Sequence, residues 1–115
     1  AGSLNFNLTN GYQTRDFCHI NDIVRAVIML LKSDNKKIYG NIFNISSGKS
    51  VTVKNLVNKI KKKVGLGKPN FGSKKIKKNE IIFSHASIKK IKKFIGWSPK
   101  ISLNNGVKNL ISYEK

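Results

Sequence analysis

Gln13-Thr14-Arg15-Asp16-Phe17-Cys18-His19-Ile20-Asn21-Asp22 is the stretch on which the reading of this chain turns. It passes straight into Ile23, Val24, Val27, Leu30 and Leu31, whose spacing is that of one apolar helix face. Asn21 is placed to cap that helix, and Asp22 sits well against its positive end. Upstream, Leu4, Phe6 and Leu8 alternate with polar residues and are followed by Asn10-Gly11, a pair suited to positive φ. The expectation is a hairpin whose second arm runs from Thr14 to Ile20.

Downstream, Gly40-Asn41 opens the short apolar run Ile42-Phe43-Asn44-Ile45, whose length and flanking turns predict a buried strand. Thr52 is the expected N-cap of a second helix, with Val53, Leu56, Val57, Ile60 and Val64 on one face and Gly65 at its end. Residues 66–78 have no period and read as an exposed loop. Ile81-Ile82-Phe83 suggests another strand, Ser87 the cap of a third helix closed by Gly96 before Pro99, and Ser102 the start of a fourth. Ala1-Gly2-Ser3 is out of character with the rest of the chain and reads as a cloning remnant, leaving one domain over 4–115. The fold class expected is α/β, with a hairpin, short strands and about four helices. So few strands make a poor sheet alone, so the chain should pack on something larger or oligomerise.

At 115 residues and 39% hydrophobic, the chain has material for one core. It contains no apolar run of roughly 18 residues and no charged-then-apolar leader, so the expectation is a soluble, cytoplasmic protein with no membrane partner. Cys18 has no cysteine to pair with, and His19 and His85 are the only histidines, so no metal site is expected. The net charge of +18 raises nucleic acid as a partner, yet only Arg15 and Arg25 of the 23 basic residues are arginines, whereas base-reading surfaces favour the guanidinium fork. No helix-turn-helix, zinc or RNP-type pattern accompanies the charge, and a small basic nucleic-acid-binding module is kept only as the alternative. Gly48-Lys49-Ser50 is no P-loop, because Phe43 stands where the first glycine belongs. Cys18 reads as a small core residue and Trp97 as an anchor between the last two helices.

The order of motifs resembles the C-terminal region of the extended short-chain dehydrogenases, the NAD-dependent nucleotide-sugar epimerases and dehydratases. Gln13 to Asp22 looks like that family's Arg-Asp-aromatic segment entering a helix. Ile42 to Gly48 is similar to its strand and turn, Ser50-Val51-Thr52-Val53 to its next helix start, Ile95-Gly96-Trp97-Ser98-Pro99 to its Leu-Gly-Trp-x-Pro, and Ile101 to Gly106 to its closing helix. The resemblance implies a substrate-binding part normally packed on a Rossmann-type domain, with a nucleotide-diphosphate sugar as ligand. It implies that Arg15 forks onto a diphosphate oxygen, oriented by Asp16 or Asp22. Asn44 would lie near the nucleotide or its phosphates, or else bond the following turn. Lys77 stands where the family commonly has an Arg, three residues before Glu80, and keeps the charge without the fork. Ser87 stands where the family usually has Asp and can still cap the helix. The subclass it looks closest to makes lipopolysaccharide sugars. The family's Tyr-x-x-x-Lys pair and Gly-x-x-Gly-x-x-Gly turn are not in this sequence. The resemblance therefore implies that NAD or NADP belongs to the full-length parent, and that no catalytic or cofactor-binding residue lies in these 115 residues.

Overall fold

Four helices carry the chain in the computed structural model, which describes residues 4–114; Ala1-Gly2-Ser3, read as a cloning remnant, lies outside the described residues. Helix α1 spans Ile20–Lys32 and begins two residues earlier than expected. Its N-cap is His19, whose ring Nδ1 accepts the Asn21 N–H at 3.0 Å, so the imidazole replaces the Asn21 side chain as cap. Helix α2, Val53–Val64, starts at Thr52, whose hydroxyl accepts the Asn55 N–H at 3.1 Å, and stops at Gly65 with φ +77°. Helix α3, Lys89–Ile95, is capped backbone-only at Ile88, and Ser87 accepts the Lys89 N–H at 3.4 Å. Helix α4, Leu103–Glu114, follows Ser102, whose hydroxyl accepts the Asn105 N–H at 3.2 Å.

The expected hairpin does not form. Strand β1, Asn5–Asn7, pairs in parallel with β4, Lys68–Asn70, with Phe6 opposite Pro69. Strand β2, Thr14–Asp16, pairs antiparallel with β3, Ser50–Thr52, with Arg15 opposite Val51. The physical reason lies at Asn10-Gly11. Asn10 closes an Asx turn onto the Tyr12 N–H at 3.1 Å, and the Gly11 carbonyl accepts the Lys54 N–H at 2.9 Å. The turn thus steers the chain against the start of α2 instead of folding it back on β1. A side chain at Gly11 would meet the Lys54 backbone nitrogen at 2.9 Å, which fixes glycine there for space as well as for its φ of +73°.

Within the stretch read as a loop, Lys68–Asn70 is a strand whose partner lies more than sixty residues upstream. Ile42–Ile45 joins no ladder among the described residues, although its side chains alternate as a strand's would: Ile42 is 82% exposed, while Phe43 and Ile45 pack on the core. Ile81–Phe83 is likewise unladdered, but Ile82 accepts the Thr14 N–H at 2.7 Å and so runs beside β2.

Ala26, Ile91 and Trp97 form the buried core, with Cys18, Met29, Leu30, Phe43, Ile45, Ile88 and Ile95 packed against it. Trp97 is the expected anchor: its indole N–H donates to the Asp22 carbonyl at 3.0 Å, and Arg25 lies over its ring at 5.7 Å. The Asp22 carboxylate accepts the Lys100 and Ile101 N–H groups and Arg25, and Arg25 also donates to the Ser98 carbonyl. This network closes the turn at 97–101 onto the first turn of α1.

Candidate functional site

Strand β2 sets the site because neighbouring side chains on a strand face opposite ways. Arg15 points toward residues 80–82. Its Nη1 donates to the carbonyls of Thr14 at 2.7 Å and Ile81 at 2.6 Å, and its Nη2 to Glu80 Oε1 at 2.5 Å. Its side chain remains 30% exposed, and these three bonds leave part of the five-donor fork unengaged among the described residues. The carboxylate that orients it is Glu80, and this corrects the expectation of Asp16 or Asp22. Asp16, on the other side of β2, accepts the Ser47 N–H at 2.7 Å, the Ser47 hydroxyl at 2.5 Å and the Gly48 N–H at 3.0 Å. Asp22 is committed to the 97–101 turn.

Lys77 is tied to Arg15 through that same glutamate. The Glu80 N–H donates to the Lys77 carbonyl at 3.0 Å, closing a four-residue turn with Lys77 at one end and Arg15's partner at the other. The Lys77 ammonium is exposed and has no hydrogen bond or ion pair among the described residues. Asn44 is exposed as well and makes no hydrogen bond among the described residues, so the turn-bonded alternative is not the one adopted. The turn after it is held instead by Asp16 and by Ser46, whose hydroxyl accepts the Gly48 N–H at 3.3 Å. Arg15 and Lys77 are therefore joined by one turn, whereas no hydrogen bond or ion pair links Asn44 to either.

Glu80 and Asp16 are the two residues whose roles the sequence reading missed. Glu80 served there as the mark from which Lys77 was counted and not as a partner of Arg15, although one of five acids in so basic a chain is itself a signal. Cys18 is half-buried, and burial first, and then the charges of Asp22 and Asp16, push its thiol above the ordinary value, which disfavours the reactive thiolate. His19 has its Nδ1 lone pair engaged by the α1 cap. No helix among the described residues is long and apolar enough to cross a membrane.

Residues 2–110 match the family described as GDP-mannose 4,6 dehydratase. The chain belongs to that family. A putative UDP-glucose 4-epimerase of Methanocaldococcus jannaschii is 33% identical over 107 residues, covering 92% of this chain and 32% of the relative. A CDP-abequose synthase of Salmonella muenchen is 32% identical over 104 residues, covering 90% and 35%. Among solved structures, the UDP-glucose 4-epimerase of Thermotoga maritima with UDP-glucose superposes at a TM-score of 0.84 and 28% identity, covering 96% of this chain and 34% of that one. The GDP-mannose 4,6-dehydratase family thus supplies the α/β fold expected from the sequence, and the chain spans about a third of the length of the relatives it matches. Nothing in the family or these relatives points to the nucleic-acid-binding module that the charge suggested.

Proposed function

We propose that this chain is the nucleotide-sugar-binding part of an NAD- or NADP-dependent sugar epimerase or dehydratase, with residues 4–115 as its C-terminal substrate-binding domain. The observation that carries the reading is the Arg15–Glu80–Lys77 arrangement. Two backbone carbonyls and a carboxylate hold the guanidinium in place, leaving an unengaged part of the fork suited to a phosphate's paired oxygens. Lys77 adds a mobile point charge from the other end of the turn. A diphosphate bears more charge than one carboxylate, so both cations can serve it together. Asn44, with an unengaged amide, is assigned to the nucleotide or its phosphates.

The relatives support the ligand class, since their names carry UDP-glucose and CDP-abequose. The chain is catalytically incomplete alone, because it carries neither the Tyr-x-x-x-Lys pair nor the glycine-rich dinucleotide turn. A bound nicotinamide would supply reversible hydride transfer at a sugar carbon from a Rossmann domain of the same parent, acting in the cytoplasm. The residues of this chain bind and orient the substrate's diphosphate.

Two-dimensional NMR titration with UDP, CDP, dTDP and GDP tests the reading, with a short DNA duplex as control. Saturable shifts confined to the neighbourhoods of Arg15, Asn44 and Lys77 are expected with one nucleotide. Replacing Arg15→Lys should weaken that binding by about tenfold, the worth of a lost charge-assisted hydrogen bond. Diffuse shifts over the lysines that vanish with salt, seen with DNA alone, would overturn it.

A further inference from the structure

The segment that carries Lys77 and Glu80 is the most concentrated run of charge near the site, with Lys74, Lys75, Lys77 and Lys78 inside five residues. Like charges this close repel one another, and residues 71–80 contain no helix or strand to hold them in place. The far end of the segment is moored by the Glu80–Arg15 ion pair. The near end is moored twice: it leaves strand β4 with the Lys74 N–H donating to the Leu8 carbonyl at 3.0 Å and the Ser73 hydroxyl accepting the Leu8 N–H at 3.2 Å, and a second device lies just before these bonds. The Lys54 ammonium lies 5.1 Å from the ring centroid of Phe71 and 5.5 Å from that of Tyr12. Lys54 is itself fixed, since it stands in the first turn of α2 and donates its N–H to the Gly11 carbonyl. Tyr12 stands three residues before Arg15, and the intervening Gln13 carbonyl accepts the Val53 N–H at 3.0 Å. One ammonium therefore connects the approach to β2, the start of α2 and the start of the basic segment.

We propose that Lys54 is a positioning residue for the substrate site: by engaging Tyr12 and Phe71 it adds to the Ser73 and Lys74 bonds with Leu8 in fixing the near end of residues 71–80, so that Lys77 is presented beside Arg15. The inference rests on the reading of Arg15 and Lys77 as the diphosphate seat. Lys54 makes no contact with the ligand in this scheme; it acts through the ring of Phe71 and the path of the chain.

The test compares the unaltered chain with Lys54→Met and Lys54→Arg. Methionine keeps the unbranched apolar stem and removes the charge, whereas arginine keeps a cation that can lie on both rings. Lys54→Met is expected to raise the Kd for the nucleotide diphosphate about two- to fivefold, the scale of an exposed cation–π contact. It should also speed amide exchange across residues 71–80 while leaving α2 unchanged, and Lys54→Arg should restore most of both. Undiminished affinity in Lys54→Met, or weakened affinity with unaltered exchange in 71–80, overturns the proposal. Arg15→Ala separates the two readings. If the unaltered chain binds none of UDP, CDP, dTDP and GDP, or if Arg15→Ala binds as well as the unaltered chain, the site itself is wrong, and Lys54's role at it falls as well. The exchange comparison then still decides whether the tether exists.

Discussion

Asp22 is 2% exposed and yet charged, which its partners explain. Burial by itself disfavours the carboxylate, but the Ile101 and Lys100 amides and then Arg25 outweigh it and hold the group below the ordinary aspartate value. Asp22→Asn should cost about 2–3 kcal/mol in urea unfolding at neutral pH, because the amide leaves Arg25 without its partner and puts a donor among donors. Because the folded-state value is lowered, the stabilisation is complete above the unfolded aspartate value of about 4 and is lost as pH falls through the folded one. The gap between the urea midpoints of the two proteins should therefore close in acid. Glu80→Gln is expected to behave differently. Its ion pair with Arg15 is about one-third exposed on both sides, so unfolding free energy should change by less than about 1 kcal/mol even though Arg15 loses its orienting group. Arg15 was legible in the sequence because it sits in a local motif. Its partner was not, since sixty-five residues separate the two and no local pattern encodes that pairing.

At the scale of elements, glycines give a graded test. At Gly65 an added Cβ meets nothing within 4 Å, so Gly65→Ala should cost only the left-handed backbone penalty, about 1–2 kcal/mol. Gly11 shares the positive φ, but a Cβ added there would lie 2.9 Å from the Lys54 backbone nitrogen, so Gly11→Ala should be the more destabilising of the two in thermal melts and should disturb the start of α2. The helices were readable because spacing, cap and terminating glycine are all local, as at Thr52 and Gly65. Strand pairing was not, because Asn10-Gly11 is chemically a hairpin turn whose use is decided by Lys54, far along the chain. Lys68–Asn70 looked like a loop for a related reason: only its register with Asn5–Asn7 makes it a strand.

The molecule as a whole is open. It exposes 8695 Å², where a folded monomer of its mass would expose about 6300 Å². Its radius of gyration is 17.3 Å, against about 13 Å for a compact domain of this length. Large apolar side chains are among what it exposes: Ile20, Val24, Val27, Ile28 and Leu31 along α1 are exposed, Leu31 to 81%, and Ile42 stands in the unladdered run. Such a face calls for cover. Sedimentation velocity on the chain alone should show self-association that grows with concentration, and Leu31→Glu should reduce it. A monomer at all concentrations would argue that the face is tolerated in water.

The molecule is also thin, with extents of 52 × 36 × 16 Å, so almost every residue lies within one side chain's length of solvent. The consequence is calorimetric. A compact domain of this length takes up about 1.4–1.7 kcal/mol per kelvin on unfolding, because melting wets its interior. A plate that leaves more of its surface wetted before melting has less to take up, so its stability should vary less with temperature and its melt should be broader than a compact domain's.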